Sequence, residues 1–345
     1  MTNLEHQLSN CKICPRNCGA DRISTNPGYC KQPDHLTAAR AYLHAWEEPC
    51  ISGVNGSGTV FFSGCNMRCV FCQNSEIASG DVAKEISSER LSEIFLELQE
   101  KKASNINLVT PTHFVPLIIP ALERAKAQGL VIPIVYNTSG YEKVETLKKL
   151  EGLIDIYLPD CKYYSDELSL KYSNAPDYHK IAIAAVDEMV RQVSAPLFYP
   201  EGYHPYLGYF DSHEQYLNDT ESLTLLDSVD YNLLLDNCND DYYGPLMKKG
   251  VIIRHLMLPG HLDDSKEVIR SLLERYGTKV YLSIMNQFTP HGDLSAYPEL
   301  LKPVDSRDYD KLIDYAIDLG IENGFFQGEG TDSESFIPAF DFEGL

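Results

Sequence analysis

Three cysteines stand within eight residues of one another, Cys65-x3-Cys69-x2-Cys72. The apolar run at 60–62 reads as a buried strand, and Ser63-Gly64 ends it, so the thiols belong to a loop leaving a strand. Thiolates so close together, with no fourth partner alongside, could hold three corners of a metal centre and leave the fourth exposed. Soft sulfur donors select zinc, copper or iron–sulfur, and catalytic zinc more often mixes in histidine or carboxylate. A four-iron cluster on three thiolates keeps one iron free for an outside ligand, which is the arrangement of an enzyme rather than a staple. The plainer alternative is three buried or zinc-binding cysteines sharing a loop.

A second group, Cys11, Cys14, Cys18 and Cys30, lies among Pro15, Asn17, Gly19 and Pro27-Gly28. Such turn-rich sequence has little core of its own and commonly needs a metal to keep its shape. Four thiolates suit tetrahedral zinc or a second iron–sulfur cluster, and the spacing does not choose between them. Cys50, Cys161 and Cys238 have no cysteine neighbours and read as small buried residues or non-ligands. A hydrogen-donating role for Cys161 is the sharper and less economical alternative.

The chain has 345 residues with 43% apolar content, enough for a sizeable core, and a formal charge of -21. That charge disfavours a broad nucleic-acid footprint, and no long Lys/Arg run offsets it. The first ten residues are polar, without a signal-peptide core. The longest apolar stretch, 114–122, contains Pro116 and Pro120 and is too short to span a bilayer. The expected location is the cytoplasm, with no membrane partner, where ten cysteines favour metal ligation over disulfides.

From residue 60 onward strand-like and helix-like segments alternate, which predicts an α/β fold with a mostly parallel sheet. Strands are expected at 60–62, 106–109, 131–136, 153–158, 251–258 and 280–285, and helices at 87–101, 115–126, 141–150, 166–170, 176–193, 263–276 and 306–319. Residues 35–49 read as a mixed, helix-like segment packing at the mouth of the sheet, more simply than as a ligand cluster of His44, Glu47 and Glu48. The glycine-rich 51–58 lacks the Lys-Ser/Thr of a phosphate loop. Residues 194–249 break the rhythm with aromatic, then acidic, sequence, and are expected to be an insertion, either a lid or a peripheral decoration. The organisation expected is therefore a cysteine-rich extension at 1–50, barrel at 51–193, insertion at 194–249 and the rest of the barrel with a tail at 250–345. Every predicted strand ends in polar, Gly or Pro residues, where an α/β barrel keeps its chemistry.

With Gly64 before the first cysteine and Phe71 before the last, the loop resembles the signature of the radical S-adenosylmethionine (radical SAM) superfamily. That resemblance implies a [4Fe-4S] cluster on Cys65, Cys69 and Cys72, SAM chelated at the fourth iron, and one-electron cleavage to methionine and a 5′-deoxyadenosyl radical that takes hydrogen from a substrate. It also implies a partial (βα)6 barrel open on one side, here with an N-terminal cysteine-rich knuckle and an insertion before the fifth strand. The Gly-Gly-Glu that often contacts the SAM amine is absent, and Asn107 or Thr110 is expected in its place. Asn137 and Ser139 are candidates for carboxylate or ribose contacts, and Arg254 for anchoring a carboxylate. Because strand neighbours point to opposite faces, Arg254 and His255 cannot both face the interior. Asp160 and Lys162, flanking Cys161 at a strand end, are expected to touch SAM or substrate, the alternative being a surface ion pair worth little.

Wider blocks, Cys11-Lys-Ile-Cys-Pro-Arg-Asn-Cys-Gly19, Gly28-Tyr-Cys30, Glu48-Pro-Cys-Ile-Ser-Gly53, the cysteine loop, Asn105-Ile-Asn-Leu-Val-Thr-Pro-Thr-His113, Arg254-His-Leu-Met-Leu-Pro-Gly260 and Ser335-Phe-Ile-Pro-Ala-Phe-Asp341, resemble iron–sulfur relatives of pyruvate formate-lyase activating enzyme. The resemblance spans nearly the whole chain apart from 194–249. It implies activation of a glycyl radical enzyme, with a reduced donor such as flavodoxin or ferredoxin and a protein substrate. Radical modification of a peptide or small molecule is the alternative within enzymes. A non-enzymatic iron–sulfur electron-transfer or interaction protein is the alternative outside them.

Overall fold

Six buried residues in a row, Ser57–Phe62, form a strand covered on both faces, which is why its sequence is apolar without alternation. The structure is a computed structural model that describes residues 3–24, 27–209, 245–327 and 338–345. In chain order the strands are β1 (Leu36–His44), β2 (Ser57–Phe62), β3 (Lys84–Ile86), β4 (Ile106–Val109), β5 (Ile134–Thr138) and β6 (Ile156–Pro159). They continue with β7 (Leu197–Phe198), β8 (Tyr203–His204), β9 (Gly208–Tyr209), β10 (Met247–Leu256), β11 (Tyr281–Met285) and β12 (Gly324–Phe326). The main sheet runs β12-β11-β10-β6-β5-β4-β2-β1-β3. All neighbours from β2 to β12 along this path are parallel, in registers such as Val60↔Leu108, Leu108↔Tyr136 and Tyr136↔Tyr157. Among the described residues its two end strands do not pair with each other, so this mixed sheet is open.

Three expectations need correction. Among the described residues the parallel series has seven strands rather than six, because β12, three residues beginning with glycine and none of them buried, is too short to register as a period. Residues 35–49 are not helical: Leu36–His44 is a strand antiparallel to β2, bulged between Ala38 and Arg40. Its three alanines and its arginine imitate helix composition, yet Leu36, Ala38, Ala39 and Ala41 are all buried. The strand expected at 251–258 starts earlier, at Met247, inside the stretch assigned to the insertion, and Met247 pairs with Phe198 of β7. The rest of that stretch provides the β8–β9 hairpin, while 210–244, including Cys238, lies outside the described residues.

Helices cover the sheet with the faces their periodicity announces. Ser88–Glu100 is capped by the Ser87 hydroxyl, which accepts from the Arg90 N–H, and buries Leu91, Ile94, Phe95 and Leu98. Val115–Ala127 tolerates proline in its first turn, where the missing N–H has no intrahelical partner to lose, and also contains Pro120. Tyr178–Val193, Leu262–Tyr276 and Ser306–Asp318 follow the expected limits closely. The segment expected as a helix at 141–150 contracts to Val144–Leu147 and a 3-10 turn. Among the described residues no helix is long and apolar enough to cross a membrane. At the far edge, Phe342 N–H donates to Ala39 O at 3.0 Å and Ala41 N–H to Glu343 O at 2.9 Å, so the C-terminal segment lines β1.

Candidate active site

The cysteine loop is held from several sides. Gly64 has φ +80°, and a Cβ there would stand 2.5 Å from Gln32 Cγ and 2.6 Å from the Cys30 carbonyl, so only glycine turns this corner freely. Asn66 donates to Tyr141 O at 2.7 Å, and Val70 N–H to Tyr172 O at 2.9 Å. Phe71 is buried edge-on against Tyr163, Tyr172 and Phe288.

Cys65, Cys69 and Cys72 all line one cavity of about 480 Å³, within the size range of small-molecule sites. Met67 N–H points to Cys65 Sγ at 3.3 Å and Ser173 Oγ to Cys69 Sγ at 2.9 Å. Desolvation, followed by the neighbouring thiols, pushes Cys65 up to about 11 and Cys72 up to about 12. Cys65 and Cys72 become thiolates together only if positive charge arrives with them, which an iron centre would supply. Among the described residues no three donors are drawn tightly enough to hold a single ion. Cys65, Cys69 and Cys72, an all-sulfur donor set facing one cavity, would suit a polynuclear iron–sulfur centre, whose ligands need not share a single ion.

The ends of the parallel strands complete the wall. Thr110, Asn137, Ser139, Asp160, Lys162 and Arg254 all face the cavity. Thr110 has φ +58°, rare for a β-branched residue, and its N–H donates to Asn137 O at 2.9 Å. The Tyr178 hydroxyl accepts from Lys162 N–H at 3.0 Å and lies 2.8 Å from Ser139 O and 3.1 Å from Asp160 O, tying two strand ends together. Lys162 Nζ sits 2.6 Å from Asp160 Oδ2. Burial alone would lower the Lys162 pKa, but Asp160 and the sulfurs of Cys69 and Cys72 hold its ammonium above the ordinary value.

Asn107 does not reach this wall. Its Nδ2 donates to Glu47 Oε1 at 2.7 Å, and its Oδ1 is buried without a partner. Arg254 faces inward and His255 outward, where His255 Nδ1 lies 2.8 Å from Cys161 O. The Arg254 guanidinium is already committed: it meets both Glu48 oxygens at 2.7 Å and also pairs with Glu47. Burial pushes the Glu47 carboxyl up, but Arg254, His44 and Asn107 outweigh that and hold it low. Cys161 is buried in the main core, where desolvation lifts its thiol to about 12. Cys50 is likewise a buried core residue.

Sequence reasoning missed Glu47 and Glu48 as a buried acidic pair beneath the cavity. The available signal was two adjacent acids before a proline, together with one inward-facing arginine. It also missed Gln73, Gln287 and Gln327, which line the same cavity. Gln73 Nε2 donates to Gln287 O at 2.9 Å and Gln327 Nε2 to Gln287 Oε1 at 3.0 Å.

Residues 59–194, from β2 through the cysteine loop to the end of the Tyr178–Val193 helix, match the Radical SAM superfamily. The chain is 24% identical over 317 residues to an uncharacterised protein of Methanocaldococcus jannaschii, covering 90% of this chain and 75% of that one. Among solved structures it is similar to Streptococcus suis SuiB bound to precursor peptide SuiA, with 12% identity, a TM-score of 0.44, and coverage of 77% of this chain and 47% of that one. It is also similar to a domain of pyruvate-formate lyase-activating enzyme from Bacteroides vulgatus, with 11% identity, a TM-score of 0.36, and coverage of 62% and 92%. HydG, a maturase of the [FeFe]-hydrogenase, gives 12% identity, a TM-score of 0.43, and coverage of 81% and 54%. The chain spans about half the length of SuiB and of HydG.

Proposed function

We propose that this enzyme holds a [4Fe-4S] cluster on Cys65, Cys69 and Cys72, binds SAM in the adjoining cavity, and modifies a peptide or small molecule by hydrogen abstraction. The observation that carries this reading is that the three thiols and the polar strand ends share one cavity. When bound, the cluster supplies the single electron that breaks a carbon–sulfur bond of SAM and so generates the abstracting radical. Activation of a glycyl radical enzyme is the narrower form of this reading, with a backbone glycine as the hydrogen donor. The reducing partner in either form is a protein donor of flavodoxin or ferredoxin type.

The chain's own residues bind, orient and screen. Thr110, Asn137 and Ser139 offer hydroxyl, amide and carbonyl groups for the polar end and ribose of SAM. Asp160 and Lys162 present a carboxylate and an ammonium to SAM or substrate beside the thiols. Arg254, neutralised by Glu47 and Glu48, shapes the cavity floor more than it offers free charge. Met67, Phe71 and Leu256 supply apolar wall that keeps water from a reactive species.

The test is anaerobic. After reconstitution with iron and sulfide and chemical reduction, SAM is added, and methionine and 5′-deoxyadenosine are quantified by mass spectrometry. Both products are expected, and both should vanish in Cys65→Ala. Intact SAM over a verified reduced cluster, together with no SAM binding by titration, would favour an electron-transfer protein instead.

A further inference from the structure

Four cysteines outside the matched segment converge behind the catalytic loop. Cys11, Cys14 and Cys30 are buried and Cys18 is exposed. Tight turns bring them together. Cys11 N–H donates to Ala20 O at 2.9 Å, Gly19 N–H to Cys11 O at 3.0 Å and Asn17 N–H to Cys14 O at 3.1 Å. A Cβ on Gly28, which has φ +66°, would lie 2.9 Å from Cys18 Sγ, so that thiol packs on the turn leading to Cys30. Cys14 feels the charges of Cys30 and Cys11, and Cys30 those of Cys11 and Cys18.

The segment's own apolar cluster is only Leu8, Cys11, Ile13 and Ala20, with Leu4 against it. Turn-rich sequence with so small a core of its own is commonly shaped by a metal, and every described cysteine is free.

The same segment grips the catalytic loop. Arg16 donates to Asn66 O at 2.6 Å, to Met67 O at 3.4 Å and to Ser173 O at 3.0 Å, and also to Asn174 O. Its guanidinium lies 3.9 Å from the Tyr29 ring centroid, and Tyr29 OH donates to Met67 O at 3.1 Å. Both residues stand within two positions of a cysteine of the group. We infer that Cys11, Cys14, Cys18 and Cys30 hold a separate thiophilic metal centre, and that this centre fixes Arg16 and Tyr29 on the loop carrying Cys65 and Cys69. No three of the thiols converge at single-ion distance, so zinc would draw them inward, whereas an iron–sulfur cluster would meet them further apart. Only the second half of the inference rests on the proposed function of the loop.

The test separates the two sites. A chain with Cys65, Cys69 and Cys72 all changed to Ala, purified anaerobically and shown to be folded by circular dichroism, is expected to retain stoichiometric zinc, or iron with acid-labile sulfide. Adding Cys14→Ser should remove it. A folded triple variant with no bound metal would overturn the inference, whatever the fate of the radical chemistry. If Cys14→Ser does not fold, alkylation of the natural chain mapped by mass spectrometry takes its place. Protection of all four thiols that is lost on chelation supports the centre, and labelling without chelator overturns it. For the second half, Arg16→Ala is expected to keep that metal and to shift the electron paramagnetic resonance signal of the reduced catalytic cluster. An unchanged signal would reject the gripping role.

Discussion

The Lys162 ammonium lies 2.6 Å from the Asp160 carboxylate, and Cys69 and Cys72 add to the field that keeps it charged. An ion pair at a cavity wall beside three sulfurs is placed to act on a ligand rather than on stability alone. Lys162→Met should therefore slow 5′-deoxyadenosine formation by about 10- to 100-fold through misplacement of the bound ligand, with iron and sulfide content unchanged. A wild-type rate in that variant would return the pair to a structural role.

Among the described residues Arg254 is the cation that pairs with two buried acids, Glu47 and Glu48. Arg254→Ala leaves Glu47 and Glu48 desolvated and unpaired, and is expected to cost about 3–5 kcal/mol. The urea midpoint should fall accordingly. A smaller loss is expected when Glu47→Gln and Glu48→Gln accompany it, and a triple variant no more stable than the single one would contradict this account.

At Gly64 an added methyl meets the Cys30 carbonyl and Gln32 in a left-handed backbone. Gly64→Ala should cost on the order of 1–3 kcal/mol and shift the corner that presents Cys65. Iron and sulfide measured after reconstitution should drop well below wild type, and full retention would show that the corner yields freely.

Glu142 carries the clearest pH signature. It accepts from Thr112 Oγ1 at 2.5 Å and from Thr138 Oγ1, lies 3.4 Å from Tyr136 OH, and leaves Oε2 unpartnered. Desolvation dominates those hydrogen bonds and pushes its carboxyl from 4.5 up to about 7. The folded chain thus binds this proton more tightly than the unfolded chain does. Its contribution is full below pH 4.5, declines as pH rises to about 7, and is flat beyond. Relative to Glu142→Gln, wild-type stability should change by about 3 kcal/mol across that window. Parallel denaturation curves for the two chains from pH 4.5 to 8 would refute the assignment.

Much of the catalytic region was legible because its signals are local. The x3 and x2 cysteine spacing directly follows its buried strand, and each polar strand end is read from the few residues around it. The rest depends on distant partners. Arg254 reads as a free anchor until β1 brings Glu47 and Glu48, some 206 residues away, beneath it. Asn107 looks like a cavity residue until that same Glu47 claims its amide. β1 itself was misread because alanine, arginine and leucine are good helix formers, and sheet packing overrode that weak local preference. β12 was too brief to show any period at all.

Arg16 reaches the carbonyl of Ser173, 157 residues further along, as well as those of the loop at 66 and 67. A ribosome delivers these pieces in order, so the loop with its three thiols emerges long before its clamp can close. Until residue 174 is out, the nascent chain presents those thiols without this restraint. The full set of Arg16 contacts on the thiol loop is therefore available only after the first four parallel strands have been made.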